Sequence, residues 1–244
     1  MKTLITALIV YMVASVAQSR DITLAMSPSI PPYVIKETQG GIMSDIVKEA
    51  LAIKGHTVKE FNYVSNKRLV AMIQSGLVDG GINTPPNLMA GFVSEPILHF
   101  ENVVIATKAK KYQFNHISDL ATFRVQAFQY AKAYLGPEFV AMADDNGSYS
   151  EVILQVNQLR HLFLDRTDAI ILDRQIFLYY LNELRGQMTS IPDVSYFTLF
   201  PKAPRHAVFL DKEMRDDFNE ALLMMKSSGR VQAIIDKYST YREG

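Results

Sequence analysis

Residues 22–96 carry the pattern that most constrains this chain: three short apolar runs separated by two segments of helical spacing. The stretch opens ITLAMSPSIPPYVI, continues GGIMSDIVKEALAIKGHTVKEFNYVSNKRLVAMIQSGLVDGGIN and closes on VSEP. Residues 21–25 read as a first strand that breaks into a loop, 27–33, holding Pro28, Pro31 and Pro32. Three fixed φ angles make that loop stiff. A rigid ligand loop and a merely stiff turn remain equally open there. Ile46, Val47, Ala50 and Leu51, with Ile53 beyond, form a helical apolar stripe stopped by Gly55. Residues 58–64 read as a strand, and Leu69, Val70 and Ile73 mark a helix closed by Gly76. The span 77–82 starts a third strand. A β-α-β-α-β run makes half of a parallel, helix-covered sheet. Such sheets bind ligands outside the carboxyl ends of their strands. The loops 27–33 and 80–83 are therefore where function is expected.

The pattern then restarts. Residues 103–107 form an apolar strand, followed by the basic run Lys108–Lys111, and 123–128 is strand-like with a short helix opening at 131–135. Ser148 and Glu151 read as a capping box ahead of a helix in DDNGSYSEVILQVNQLRHLFL. Residues 167–172 are an almost wholly apolar strand ending in Asp173, and 175–184 is helical by its spacing. Met214, Phe218, Ala221, Leu222 and Met225 mark a further helix before Gly229, and Val231, Ile234, Ile235 and Tyr238 a last one. The fold class is α/β in two lobes.

The first residues set the compartment. Residues 1–17 have Lys2 as their only charge, an apolar core and small residues at Ser15 and Ala17, the pattern of a secretory signal peptide. Cleavage is expected after Ala17, with Ser19 the other option. The apolar run falls short of the ~20 residues a spanning helix needs. The chain has no cysteine, so neither disulfides nor a lipid-modified N-terminal cysteine enters the argument, and a soluble periplasmic monomer is expected. Its 244 residues are enough for a large core. Lys+Arg 25 against Asp+Glu 25, with no basic cluster interleaved with aromatics, gives no sign of nucleic-acid binding.

PPY, GIMSDIVKEAL, LVAMIQSGLVDG and SEPI, then LRHLFLDRTDAIILDR and MRDDFNEALLMMKSSGRVQAIIDKY, follow one another in an order that resembles the family 3 extracellular solute-binding proteins. The resemblance spans residues 22 to about 238. It implies a two-lobed periplasmic-binding-protein fold of type II, with two hinge strands and the ligand between the lobes. Lobe one is then 20–107 plus 205–244, and lobe two 108–204. It also implies a small-molecule ligand and a membrane partner, either an ABC-type permease or a sensor kinase. Carried over residue by residue, it implies ligand contacts from Ser27, Ser29, Ile30 and Tyr33 around PPY, and from Gly80, Gly81 and Asn83 after the VDG motif. In lobe two it implies that the turn Phe128, Gln129, Tyr130 holds a carboxylate and that Asp173 holds an ammonium.

One departure bears on the substrate. Amino-acid binders of this family carry an arginine in a TxxR stretch before SxP, which forks onto the α-carboxylate. Here the interval reads GGINTPPNLMAGFVSEP, Asn87 stands nearest that place, and no Lys or Arg occurs between Arg68 and Lys108. Losing such a bond removes ~1.5–3 kcal/mol, so an ordinary free α-amino acid is not the expected ligand. Lys132, Arg160 and Arg174 are candidates to compensate. Phe128 and Tyr130 read equally as core or as a cleft wall.

Catalytic sets are absent from the pattern. His56, His99, His116, His161 and His206 are scattered without metal-ligand spacing, and there is no GxSxG elbow. Asp144, Asp145 and Asn146 precede a glycine, but Gln155 stands where a calcium loop needs Glu. No metal and no cofactor are expected. The alternative readings are a periplasmic lyase, dehydratase-like, working through Asp173 or Glu101, and a protein-interaction module that binds no solute.

Overall fold

The computed structural model describes residues 19–27, 29–84 and 91–238. The expected signal peptide and Asn87 lie outside those residues. The chain begins with β1 (Asp21–Met26), α1 (Ile42–Ile53), β2 (Thr57–Tyr63), α2 (Asn66–Gln74) and β3 (Gly80–Ile82). β1 lies between β2 and β3 and runs parallel to both, the arrangement expected from the opening pattern. The stripe of α1 is wholly buried at Ile46, Val47, Ala50 and Leu51. α2 ends at Gly76, whose φ of +69° is left-handed and favours glycine. The third strand is shorter than the apolar run suggests: residues 77–79 lie outside it.

β4 (Phe92–Val93) closes the far edge of this sheet, and β5 (Leu98–Phe100) leads out of it into β6 (Asn102–Thr107). Next come β7 (Val125–Phe128), α3 (Ala131–Tyr134), α4 (Pro137–Asp145), β8 (Tyr149–Val152), α5 (Gln155–Phe163), β9 (Ala169–Asp173), α6 (Arg174–Arg185) and β10 (Val194–Phe197). The chain returns through β11 (Ala203–Arg205) to β12 (Ala207–Phe209), α7 (Lys212–Ser227) and α8 (Arg230–Tyr238).

Two five-stranded sheets result, ordered β2-β1-β3-β12-β4 and β10-β6-β9-β7-β8, with β5 and β11 paired as a separate antiparallel ribbon. The chain crosses between the sheets only through that ribbon, which supplies the two hinge strands. β6 pairs with β9 and β10. Residues 102–107 therefore belong to the second sheet, which corrects the expected lobe boundary at 107: their hydrogen-bond partners, not their apolar character, decide which lobe they join.

The capping-box expectation is also corrected. Glu151 lies within β8, and the next helix starts at Gln155. The largest apolar cluster is continuous from α1, α7 and α8, through Ile97, Leu98 and Phe100 of the hinge, to Leu172, Phe177 and Leu181 of the second lobe. A second cluster fills the other face of the second sheet around Phe114, Leu120, Phe139 and Ala169.

Candidate functional site

The parallel strands β1, β2 and β3 end at Met26, Tyr63 and Ile82, and β7, β8 and β9 end at Phe128, Val152 and Asp173. One contact ties these two carboxyl edges together. Tyr33 Oη donates to Asp173 Oδ1 at 2.9 Å. The edges of the two lobes therefore lie together beside the hinge, and the ground between them is the candidate site.

On the first lobe, Ser27 and Asn83 meet there: Asn83 Nδ2 donates to Ser27 Oγ at 3.4 Å. Asn83 adopts a left-handed φ of 54° at the end of β3, a conformation asparagine tolerates. Ser29 Oγ donates to the Val34 carbonyl, and Ile30 packs half-buried against the main core. Gly80 answers to packing: a Cβ there would stand 2.3 Å from the Val208 carbonyl oxygen. It lets β12 approach β3, and a ligand contact is not what requires it.

Tyr33 and Asp173 require the largest revision. Asp173 is 2% exposed. Its Oδ1 accepts from Tyr33 Oη and from the amides of Gln175 and Ile176, capping α6, while Oδ2 accepts from the Glu101 amide. Burial pushes the carboxyl up to about 6, against the lowering effect of these four donors. Tyr33 is buried too, its ring stacked on Phe100 with centroids 4.2 Å apart, and burial beside Asp173 raises its hydroxyl well above the usual phenol value. In place of an ammonium acceptor and a cleft tyrosine, the pair forms a buried link between loop, hinge and helix. Burial of the side chains, invisible in the spacing, makes the difference.

The second lobe brings a comparable correction. The resemblance implies that the turn Phe128, Gln129, Tyr130 holds a ligand carboxylate. Instead Glu151 Oε2 accepts from the Tyr130 amide at 2.6 Å and Oε1 from the Lys132 amide at 3.3 Å. Tyr149 Oη donates to the same Oε1 at 2.9 Å. The chain's own carboxylate takes the two amides of this turn. Among the possible compensating cations, Lys132 pairs with Asp144, Arg160 bonds Asn157 and Gln187, and Arg174 lies over the Tyr196 ring.

What remains open at this edge is aromatic and apolar. Gln129 is exposed, Phe128 is half-buried with its ring 6.4 Å from Tyr134, and Tyr130 is 63% exposed. Tyr134, Ile153 and Leu154 are exposed as well, following the ends of β7 and β8. The sequence reading missed Tyr134, Ile153, Leu154, Glu151 and, at the hinge, Phe100 and Arg205. None of them carried a signal of its own: Ile153 and Leu154 follow β8, a strand too short for its alternation to show. Among the described residues no group of three or more His, Asp or Glu side chains is placed to hold a metal ion, and no helix is long and apolar enough to cross a membrane.

Solved structures share this architecture. An ancestral cationic amino acid solute-binding protein superposes with a TM-score of 0.70 at 16% identity, covering 90% of this chain and 96% of its own. The L-cystine solute receptor of Neisseria gonorrhoeae, in its unliganded open conformation, matches at 0.64 and 18% identity, covering 90% and 92%. A histidine kinase sensor domain with similarity to periplasmic binding proteins matches at 0.66 and 17% identity, covering 92% and 98%. No family model and no curated sequence matches the chain. The fold is the two-lobed α/β fold of the family 3 solute-binding proteins, as the sequence resemblance implied.

Proposed function

We propose that this protein captures a small solute between its two lobes, as a periplasmic monomer, and presents it to a membrane partner. The observation that carries the reading is the pairing of two strand-end edges across a two-strand hinge, with Tyr130, Tyr134, Ile153 and Leu154 left exposed on one of them. Exposed apolar side chains gathered at strand ends are a common mark of a ligand surface, and hinge closure would bury them from both sides. Ser27, Ser29, Asn83 and Gln129 supply the polar contacts. The likeness to both the substrate binding protein of an amino acid ABC transporter and a histidine kinase sensor domain supports a permease or a sensor as partner. Two independent features disfavour a free α-amino acid: no arginine stands between Arg68 and SEP, and Glu151 fills the turn where its carboxylate would dock. The lyase alternative has no observation in its favour, since Asp173 is consumed by capping α6 and bonding Tyr33.

The test is a thermal-shift screen of small metabolites on the mature protein, followed by small-angle scattering with each hit. The expected result is a raised melting temperature accompanied by a smaller radius of gyration. A protein that neither stabilises nor contracts with any solute overturns the reading.

A further inference from the structure

The hinge ribbon carries a cation, Arg205, whose Nε has no hydrogen-bond acceptor among the described residues. In the β5–β11 pair, Arg205 stands opposite Leu98 and Ala203 opposite Phe100. Alternation along each strand divides the ribbon into two faces. His99 and Pro204 are exposed on one, while Leu98 and Phe100 are buried on the other and share it with Arg205. This inner face is the one that meets Tyr33. The Arg205 guanidinium lies over the Phe100 ring, 4.2 Å from its centroid, and Phe100 in turn stacks on Tyr33.

A stacked guanidinium still needs acceptors in its own plane. Arg205 Nε is buried with no hydrogen-bond acceptor, and no ion pair joins it to a carboxylate among the described residues. Burial lowers its pKa from the ordinary arginine value, yet the group stays charged. Tyr134 and Asp173 are near enough to act on it electrostatically. A buried donor without an acceptor is costly, and a guanidinium fork matches the geometry of a carboxylate.

We propose that Arg205 is the anion anchor of the cleft and that the captured solute is a small monocarboxylic acid. This rests on the solute-capture reading above and narrows it. The acid does not dock at the α3 turn, because Glu151 already fills it. A single guanidinium balances one negative charge, and Asp173 nearby disfavours a second, so a phosphate dianion is the poorer match. The body of the acid extends from Arg205 toward the Tyr134 ring. An arginine on the hinge moves little when the lobes close, so it holds the acid in either state.

The experiment follows the Arg205 Nε–H resonance of the mature protein, assigned by its loss in Arg205→Gln. The probes are acetate, propionate, benzoate and phenylacetate, each against the corresponding amide. The expected result is a saturable shift with at least one acid and none with its amide. Binding of that acid, measured by calorimetry, weakens ~10-fold or more in Arg205→Gln and stays within about twofold in Glu151→Gln. Arg205→Lys, which keeps the charge and loses the fork, guards against a folding defect and is expected to bind between the two. No saturable shift with any of the four acids overturns the proposal, as does an Arg205→Gln protein that is folded and binds like the parent. If the metabolite screen finds a solute with no acidic group, solute capture stands and the role of Arg205 falls. If no solute of any class binds, both fall.

Discussion

Asp173 sits where water is excluded, and its chemistry follows from that. Its folded carboxyl titrates at about 6, against ~3.9 for an unfolded aspartate. Between those values the folded chain holds the proton and the unfolded chain does not. This group's contribution to stability is therefore greatest below about pH 4 and falls as pH rises through about 6, by on the order of 3 kcal/mol. Asp173→Asn has no such slope. Urea denaturation at about pH 5 and about pH 8 is expected to show the wild type losing stability relative to the variant at the higher pH; parallel behaviour of the two would refute the assignment. The glycines give a second contrast. An added Cβ at Gly80 meets the Val208 carbonyl, whereas at Gly76 it meets nothing within 4 Å. Gly80→Ala is expected to cost ~2–3 kcal/mol from overpacking, against ~1 kcal/mol for Gly76→Ala from its positive φ, as read from denaturation midpoints.

Among the elements, α7 shows a helix whose start is chemically defined. Asp211 Oδ1 accepts from the amides of Glu213 and Met214, and Arg20 bonds the other carboxyl oxygen, tying the residue before β1 to this helix. Asp211→Ala is expected to lose ~1 kcal/mol of stability, while Asp211→Asn, which still caps, loses much less because the partly exposed pair with Arg20 contributes little. Equal losses in chemical denaturation would mean that the ion pair outweighs the cap. The same scale exposes where sequence reading failed. α7 and α8 were legible from Met214, Phe218, Ala221, Val231 and Ile234 at helical spacing, all of them buried. β8 was not: four residues are too few for alternation to show, and Ser148 with Glu151 imitated a cap. α4 is short enough that its spacing alone does not announce it, although Pro137 starts it and Phe139, Met142 and Ala143 bury its inner face.

Across the whole molecule, the apolar core does not respect the division into sheets. Phe100 and Ile97 connect the α1–α7–α8 side of the first lobe to Leu172 and Phe177 of the second. Lobes that share a core unfold together. Thermal unfolding of the unliganded protein is expected to be a single transition, with near-ultraviolet tyrosine signals and far-ultraviolet helix signals coinciding. Two separated transitions would show that the hinge core does not couple the lobes.

The sequence by itself determined the longer helices, the apolar strands and their order, because apolar spacing, glycine stops and strand-length runs are short-range properties. From that order came the parallel β1-β2-β3 arrangement, the two lobes and the likeness to solute-binding proteins. Ser27 and Asn83 were legible for the same reason: they stand at strand ends, and the structure brings their side chains together. Tertiary structure alone decided which polar groups are already satisfied. The sequence offers Asp173 to a ligand and Glu151 to a helix cap, yet folding buries the first against Tyr33 and folds the second back onto the amides of Tyr130 and Lys132. Arg205 gave no signal at all, since only the pairing of β11 with β5 sets its guanidinium over Phe100. The opening stretch sets where the parallel strands of the first lobe end, and the long-range contacts at the hinge set which polar groups there are already paired.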